Sequence, residues 1–148
     1  MRFKLKKLHA NANIPKRQTA GSAGYDLCAC LSEEQAILPG HRAVIPTGLA
    51  AEIPADFAGM IFTRSGLGVK YGVHVSNGVG VIDSDYRGEI QVALTNSGTT
   101  VYTVYPGDRI AQLLVMPVAT LCIEVTDSLD ETLRGTGGFG STGFRTEA

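Results

Sequence analysis

The sequence carries almost no excess charge of either sign. Lys and Arg together number 13, Asp and Glu number 14, and the formal net charge of the 148 residues is −1. A protein that binds DNA or RNA regardless of sequence needs a basic face, because phosphate contacts supply most of that affinity. The balance therefore argues against a nucleic-acid partner. Any bound anion must be held by a few placed cations or backbone N–H groups.

Long apolar runs are also missing, so we expect no segment to span a bilayer and no membrane partner. The N-terminal stretch MRFKLKKLHANANIPKR is basic and lacks the continuous apolar core of a signal peptide. The expected location is therefore cytoplasmic. A nuclear or organellar location, with an address on a longer precursor, stays open.

Cysteine and histidine are few and form no metal-binding pattern. Cys28 and Cys30 lie two positions apart, so in a strand they share a face and cannot easily bridge each other. The sequence has no C-x-x-C, and its three histidines are scattered. The pattern predicts no zinc site. We interpret the three cysteines, Cys122 included, as small buried hydrophobes in a reducing compartment.

Helical patterns are scarce, and short alternating stretches take their place. The helical candidates are one turn at Ser32–Gln35 and a short helix that Ser65 caps and that runs toward Tyr71. Alternation of apolar and polar residues predicts strands around residues 3–5, 25–31, 90–94, 100–105 and 121–125. Pro-Gly and Asn-Gly pairs separate such runs. We predict an all-β fold in a single domain, built as a sandwich, jelly roll or barrel.

The chain becomes rich in glycine after Leu133. Arg134–Gly143 reads RGTGGFGSTG, which formally satisfies G-x-G-x-x-G but lacks the flanking strand and helix and the later acidic residue of a dinucleotide site. One interpretation is a frayed terminus. The other is a flexible arm whose Arg, Phe, Ser and Thr side chains grip a nucleotide, while successive backbone N–H groups hold phosphate oxygens.

A first polar constellation follows the apolar run Met60–Phe62, where the chain reads Thr63-Arg64-Ser65-Gly66. A strand that ends in this way offers a guanidinium, a hydroxyl and N–H groups at the start of a helical turn. That combination suits a phosphate group. A capped turn with an exposed arginine is the alternative interpretation.

A second constellation runs from Gly80 to Gly88, where an apolar strand leads directly into two carboxylates, a tyrosine and an arginine. If Ser84 is extended, Asp83 and Asp85 share a face. One carboxylate could then activate a water molecule while the other supports it. A polar hairpin loop is the plain alternative, and Asp-x-Asp could also bind calcium, although the rest of the EF-hand pattern is missing.

A third constellation is the segment Pro106–Leu113, a turn followed by an apolar strand that carries Gln112. An amide side chain in so apolar a strand needs a hydrogen-bond partner. The partner could be a ligand, and it could equally be the protein backbone.

Taken together and in order, these segments resemble the five motifs of the trimeric dUTPase family. The five short stretches are spread over nearly the whole chain: Ala23–Leu27, Arg64–Gly68, Asn77–Gly88, Pro106–Gln112 and Arg134–Gly143. Any one of them is weak, but five in order within 148 residues are specific. The sequence departs from the family pattern at Thr63, where many members have proline, and this leaves the local turn in doubt.

The resemblance implies a jelly-roll-like subunit in a homotrimer with active sites shared between subunits. It implies a β-domain over residues 1–133 and an arm, residues 134–148, that closes over a site. The implied reaction converts dUTP to dUMP and pyrophosphate, which limits uracil in DNA and supplies dUMP for thymidylate synthesis. Water would attack the α-phosphorus with help from Mg²⁺, held mainly by the substrate phosphates and water and not by a dedicated set of protein ligands.

The resemblance also implies a role for each motif residue. Asp83 would be the catalytic residue that activates water, and Tyr86 would pack under the deoxyribose and exclude a 2′-hydroxyl. The remaining substrate-binding residues are Asn77, Gly80 and Ile82 at the uracil edge, Arg64, Ser65, Gly66 and Gln112 at the phosphates, and Arg134, Phe139, Gly140, Ser141 and Thr142 in the arm. Phe139 would cover the uracil ring. The supporting residues would be Asp26, Asp85 and Arg109.

Three other functions compete with this one. A dCTP deaminase would share such a trimeric β-fold, but the run Ile82–Tyr86 and the glycine-rich arm favour the triphosphatase. A non-enzymatic binding or regulatory module would have lost the aspartate or the arm, and this chain retains both. A purely structural jelly roll would leave the polar motifs unexplained.

Overall fold

Short antiparallel strands make up most of the regular structure over residues 2–141, the part of the chain that the computed structural model describes. The strands are β1 (Lys4–Lys7), β2 (Tyr25–Cys28), β3 (Gln35–Ile37), β4 (Arg42–Pro46), β5 (Leu49–Glu52), β6 (Phe57–Phe62), β7 (Val73–Val75), β8 (Gly80–Ile82), β9 (Gln91–Asn96), β10 (Tyr102–Val104) and β11 (Arg109–Pro117). A single helix within the described residues, α1, spans Ser65–Tyr71. The predicted all-β class is confirmed.

The strands form two larger sheets and two strand pairs. One sheet has the order β2-β11-β6-β8 and another has the order β4-β9-β7, while β1 pairs with β5 and β10 pairs with β3. Every pairing is antiparallel. In the four-stranded sheet β8 is therefore an edge strand, and in the three-stranded sheet β7 is one. Both edges matter for the site because the segment between β7 and β8 carries Asn77.

The inner faces of the two larger sheets share one hydrophobic core. Leu27 and Leu113 contribute from the four-stranded sheet, and Ile45 and Leu94 contribute from the three-stranded sheet, each with essentially no exposed surface. The alternation predicted at residues 90–94 holds, since Ile90, Val92 and Leu94 are all buried. Burial of such side chains supplies about 1.5–3 kcal/mol each, so this core dominates the stability of the fold.

The loop that follows β8 is fixed at its far end by Ile90. The N–H of Ile90 donates to the carbonyl of Leu49 at 2.7 Å. The buried Thr47 donates its hydroxyl to the carbonyl of Ile90 at 2.6 Å, and its N–H donates to the same carbonyl at 3.3 Å. Because Ile90 is held in this way, the loop between Ile82 and Ile90 is anchored at both ends.

Both helical predictions need correction in detail. The helix that runs toward Tyr71 is present, but Arg64 occupies the N-cap position and no side chain caps the helix. Ser65 is its first helical residue, so the predicted serine cap is wrong. Ser32–Gln35 forms a bend and not a helical turn, because β3 begins at Gln35 and pairs with β10.

The strand predicted at Leu121–Val125 is also absent. Its apolar side chains are exposed, with 81% of Leu121, 94% of Ile123 and 92% of Val125 accessible. Alternation can specify a strand only where a neighbouring strand offers an edge, and within residues 2–141 this segment has none. β11 ends at Pro117, and the following residues up to Ser141 lie outside regular structure.

The three cysteines are free thiols at two different depths. Cys28 and Cys30 are half-buried, whereas Cys122 is exposed, so the interpretation of all three as buried hydrophobes is wrong for Cys122. Burial, followed by the nearby Asp26 carboxylate, raises the pKa of the Cys28 thiol. A thiol with a raised pKa stays protonated near neutral pH and is a poor nucleophile. Within residues 2–141, no helix has the length and apolar character that a membrane crossing requires.

Candidate active site

Asp26 lies at the centre of an ion-pair cluster that joins three of the sequence motifs. Its Oδ1 accepts from Nε of Arg64 at 3.2 Å, and its Oδ2 accepts from Nη1 of Arg109 at 3.1 Å. Arg64 also donates from Nη1 to the carbonyl of Arg109 at 2.9 Å. The Asp26 side chain is only 12% exposed, so this pairing is better shielded than a surface salt bridge. The cluster therefore holds Arg64 in place, and Ser65 follows it directly in the chain.

A β-bulge explains how β11 contributes two side chains to this cluster. Arg109 pairs with Cys28 and Gln112 pairs with Asp26, with a register shift between Arg109 and Ala111. Residues three apart in a regular strand point to opposite faces. The extra residue in the bulge returns Arg109 and Gln112 to the same face, which is the face of Asp26.

Gln112 has a hydrogen-bond partner in the backbone, which was one of the two predicted alternatives. Its Nε2 donates to the carbonyl of Thr63 at 3.3 Å. The amide lies closely over Gly24, where a Cβ atom would come within 3.0 Å of Oε1 of Gln112 and 2.8 Å of Cδ1 of Leu114. Glycine at this position of the first motif is therefore needed for the approach of Gln112. The second N–H of the amide remains available for a ligand.

Ser65 and Gly66 open helix α1 beside this cluster, and both are exposed. The N–H groups of Leu67 and Gly68 donate to the carbonyl of Arg64 at 2.9 Å and 3.1 Å. The earlier N–H groups of a helix have no intrahelical acceptor and suit an anion. The start of α1 thus places a hydroxyl and backbone donors next to a shielded arginine.

A cavity of about 240 Å³ lies at the free edge of β8. Five of the residues predicted for catalysis, base or sugar contact line it together: Asn77, Gly80, Ile82, Asp83 and Tyr86. The structure adds Ile61, Val81, Glu89, Ile90 and Gln91 to the lining. The sequence motif from Asn77 to Gly88 therefore folds around a single concave surface, as the functional interpretation requires.

Tyr86 lies against the backbone of its own loop. Its hydroxyl donates to the carbonyl of Glu89 at 3.0 Å, and its ring packs over Gly88. A Cβ atom at Gly88 would come within 2.6 Å of Cζ of Tyr86, so any larger residue would displace the ring. With 47% of its surface accessible, Tyr86 presents a fixed aromatic wall to the cavity.

Asp83 and Asp85 are not arranged as the sequence suggested. The N–H of Tyr86 donates to the carbonyl of Asp83 at 3.2 Å, which closes a turn through Ser84 and Asp85. The condition for a shared face, an extended Ser84, is therefore not met. Asp83 lines the cavity and Asp85 is not among the lining residues. Of the two carboxylates, Asp83 alone borders the cavity.

The predicted arm residues that the structure describes make only local hydrogen bonds. Arg134 donates from Nε to the carbonyl of Gly137 at 2.9 Å, and the N–H of Ser141 donates to the carbonyl of Gly138 at 3.1 Å, so these bonds are local. The Phe139 side chain is fully exposed and its φ of 48° lies in the left-handed region. Gly140 follows in a turn, and Thr142 lies outside the described residues.

The site residues of this one chain thus form two groups. The phosphate-side group comprises Asp26, Arg64, Ser65, Gly66, Arg109 and Gln112, and the cavity group comprises Asn77, Gly80, Ile82, Asp83 and Tyr86. In the described part of the chain no side-chain hydrogen bond joins the two groups directly. Thr63 and Glu89 are two polar residues near these groups to which sequence reasoning gave no role in the site. Both make contacts distant in sequence, which no local pattern reveals.

Comparison with known proteins gives a consistent result. The dUTPase family model matches residues 10–143. The deoxyuridine 5'-triphosphate nucleotidohydrolase of Desulfitobacterium hafniense is 54% identical over 131 residues, which are 88% of this chain and 87% of the relative. The one from Syntrophotalea carbinolica is 45% identical over 142 residues, 96% of this chain and 97% of the relative.

Solved structures show the same fold. The dUTPase of Staphylococcus bacteriophage 80alpha with dUpNHpp superposes with a TM-score of 0.88 at 27% identity, covering 97% of this chain and 99% of that chain. A mutant dUTPase of S. aureus phage phi11, described with a structural Mg(II) ion, superposes with a TM-score of 0.79 at 24% identity, covering 86% and 98%. The predicted jelly-roll-like fold is confirmed.

Proposed function

Since the chain belongs to the dUTPase family, we propose that it hydrolyses dUTP to dUMP and pyrophosphate, with Asp83 activating the water that attacks the α-phosphorus. The observation that best supports this proposal is the cavity at the edge of β8, which is lined by Asp83, Tyr86 and Asn77 together. A carboxylate is a competent general base for water, and such a base supplies about 10²–10⁴-fold in rate.

The free edge of β8 supports recognition of uracil. β8 pairs only with β6, so the backbone N–H and C=O groups on its other edge have no strand partner within the described residues. These groups, with the amide of Asn77, can hydrogen-bond the polar edge of the base as a pairing partner would. A site built on hydrogen bonds rejects analogues that lack the matching groups more strongly than an apolar pocket does. Tyr86 would hold the deoxyribose against its ring.

The phosphate-side group supports binding of the triphosphate. Ser65 and Gly66 offer a hydroxyl and N–H groups, and Gln112 offers an amide proton. Arg64 supplies positive charge, although the structure shows it bound to Asp26 and Arg109, which suits a supporting role as well as a phosphate contact. These groups cannot neutralise a triphosphate alone.

We expect Mg²⁺ to enter this site bound to the phosphates of the substrate. Among the described residues no cluster of three or more His, Cys, Asp or Glu side chains could enclose a metal. Mg²⁺ keeps several waters and binds phosphates readily, so the triphosphate and water would hold it. When bound there it would neutralise phosphate charge, while the protein's residues orient the nucleotide and the attacking water.

We propose that the enzyme is a homotrimer with active sites shared between subunits. No side-chain hydrogen bond joins the phosphate-side group to the cavity group in the described part of one chain, and a second copy could bring them together. The outer face of the four-stranded sheet is apolar beside Gln112, with Phe62, Met60 and Leu114 half-buried and 60% of Val81 accessible. The exposed apolar side chains of residues 121–125 need cover of the same kind.

The glycine-rich segment 134–148 would act as an arm that closes over a site. Arg134 would bind the phosphates, Phe139 would cover the uracil ring, and Gly140, Ser141 and Thr142 would add phosphate contacts. The full exposure of Phe139 supports this role, because a large aromatic side chain without a core partner gains by stacking on a base. Closure would exclude water from the reacting phosphate.

A pyrophosphate-release assay with dUTP, UTP, dTTP and dCTP, each with and without Mg²⁺, tests this function. We expect rapid release from dUTP with Mg²⁺ and little release from the other three nucleotides. Ammonia release from dCTP would identify a deaminase instead. Failure of all four nucleotides to react with folded protein would favour a binding module.

A further inference from the structure

Thr63 contacts Gln112 of the phosphate-side group and Val75 of β7, which lies two residues before Asn77. It follows β6 directly and precedes Arg64, the N-cap residue of α1. Its carbonyl accepts from Nε2 of Gln112 at 3.3 Å, and its Oγ1 accepts from the N–H of Val75 at 2.9 Å. One half-buried residue thus contacts the phosphate-side group through its carbonyl and, through its side chain, the strand β7 that leads to Asn77.

The bond to Val75 reaches the turn that carries Asn77. β7 is an edge strand whose other edge pairs with β9, so the N–H of Val75 would have no ladder partner without the Thr63 hydroxyl. The carbonyl of Val75 accepts from the N–H of Gly78 at 3.0 Å, which closes the turn around Asn77. The Thr63 hydroxyl is therefore one of the groups that hold this turn, together with the carbonyl of Ala93, which accepts from the N–H of Ser76 at 2.8 Å.

The Thr63 side chain is held in place by packing as well as by its hydrogen bond. Its Cγ2 faces α1, where a Cβ atom at Gly68 would lie 3.3 Å away. The methyl group against α1 and the hydroxyl toward β7 fix the rotamer of this β-branched side chain. Movement of α1, of Gln112 or of β7 would therefore alter the contacts of Thr63.

We propose that Thr63 is a positioning residue that holds the amide of Gln112 and the turn at Asn77 in fixed relation, so that phosphate binding and base discrimination depend on its hydroxyl. The kinetic consequences of this inference rest on the proposed function. The hydrogen bond from the N–H of Val75 to Thr63 is independent of that function.

The test compares Thr63→Val, which removes the hydroxyl at constant shape, with Thr63→Ser, which keeps it. Thr103→Val, in β10, is the matched control because it makes the same change at a residue that belongs to neither group. For Thr63→Val we expect kcat/KM for dUTP to fall about tenfold, mainly through a higher KM, the size that loss of one shielded hydrogen bond gives. The preference for dUTP over dCTP should narrow as well. Thr63→Ser should stay within about twofold of wild type.

Hydrogen exchange supplies a readout that is independent of catalysis. The amides of residues 73–78 should exchange faster in Thr63→Val than in Thr63→Ser or wild type. Thr63→Ala, which removes the same hydroxyl with less bulk, carries the same expectations if the valine variant does not fold.

Three results would overturn the inference: wild-type kinetics in Thr63→Val, unchanged exchange at Val75, or a serine variant as impaired as the valine variant. An equal fall in kcat/KM for dUTP and for dCTP, which leaves the ratio of the two values unchanged, would show that Thr63 has only a structural role. If wild-type protein released no pyrophosphate from dUTP, the proposed function would fail, while hydrogen exchange would still decide the role of Thr63.

Discussion

At the scale of single residues, Asp83 carries the chemical proposal. It lines the cavity, while the turn through Ser84 leaves Asp85 outside the lining. We expect Asp83→Asn to bind dUTP almost normally and to lose about 10²–10⁴-fold in turnover, because the amide keeps the shape but cannot accept the water proton. Single-turnover measurements with a separate binding assay check this. Turnover within a few-fold of wild type would remove Asp83 as the base and make Asp85 the next candidate.

We propose that Tyr86 determines the selectivity for deoxyribose over ribose. Tyr86→Ala should weaken binding of dUTP and narrow the preference for dUTP over UTP, because the ring that fills the space of a 2′-hydroxyl is gone. Tyr86→Phe is the matched control, since it keeps the ring and loses only the hydroxyl that donates to Glu89. The ratio of kcat/KM for the two nucleotides is the measurement. An alanine variant with an unchanged ratio would place Tyr86 outside the sugar pocket.

Some residue contacts follow from the sequence and others do not. Gln112 needed a partner because a buried amide cannot remain without one, and the structure supplies the carbonyl of Thr63. The identity of that partner could not be foreseen, because Thr63 lies 49 positions away. The same limit hid the contact of Glu89, whose carboxylate accepts from the N–H of Gly48 at 2.7 Å across 41 positions.

At the scale of elements, alternation predicted strands well where a sheet was available to receive them. Residues 90–94 bury every second side chain because β9 is paired on both sides, with β4 and β7. The segment 121–125 has the same alternation but no partner edge, so its strand does not form. The bulge in β11 was not predictable either, since no glycine or proline marks it and only the pairing with β2 reveals it.

The arm is the element whose removal is most informative. Deleting Arg134–Ala148 should leave a folded protein with nearly unchanged melting temperature, because the described part of this segment makes only local hydrogen bonds and Phe139 is fully exposed. Activity should nevertheless fall steeply, since the phosphates would lose Arg134 and water would enter the site. Thermal melting and pyrophosphate release are the two measurements. Full activity in the truncated enzyme would favour the alternative interpretation of this segment as a frayed terminus.

At the scale of the whole molecule, the account depends on assembly. Homo-oligomers usually close with cyclic symmetry, and three chains of 15.6 kDa give a particle of about 47 kDa. We expect light scattering to find this single species. Substituting Ile123 or Val125 with aspartate should shift it toward smaller species, because a charge would enter a surface that we propose to be covered. A stable and active monomer would contradict shared sites.

Subunit mixing tests the central claim most directly, namely that one chain's Asp83 works with another chain's arm. Truncated subunits that lack residues 134–148 are mixed with full-length Asp83→Asn subunits, each inactive alone, under conditions in which labelled subunits are shown to exchange. We predict that activity returns, because some mixed trimers pair an intact Asp83 with an intact arm from a neighbour. No recovery despite proven exchange would show that each arm serves its own Asp83 and would contradict the shared site.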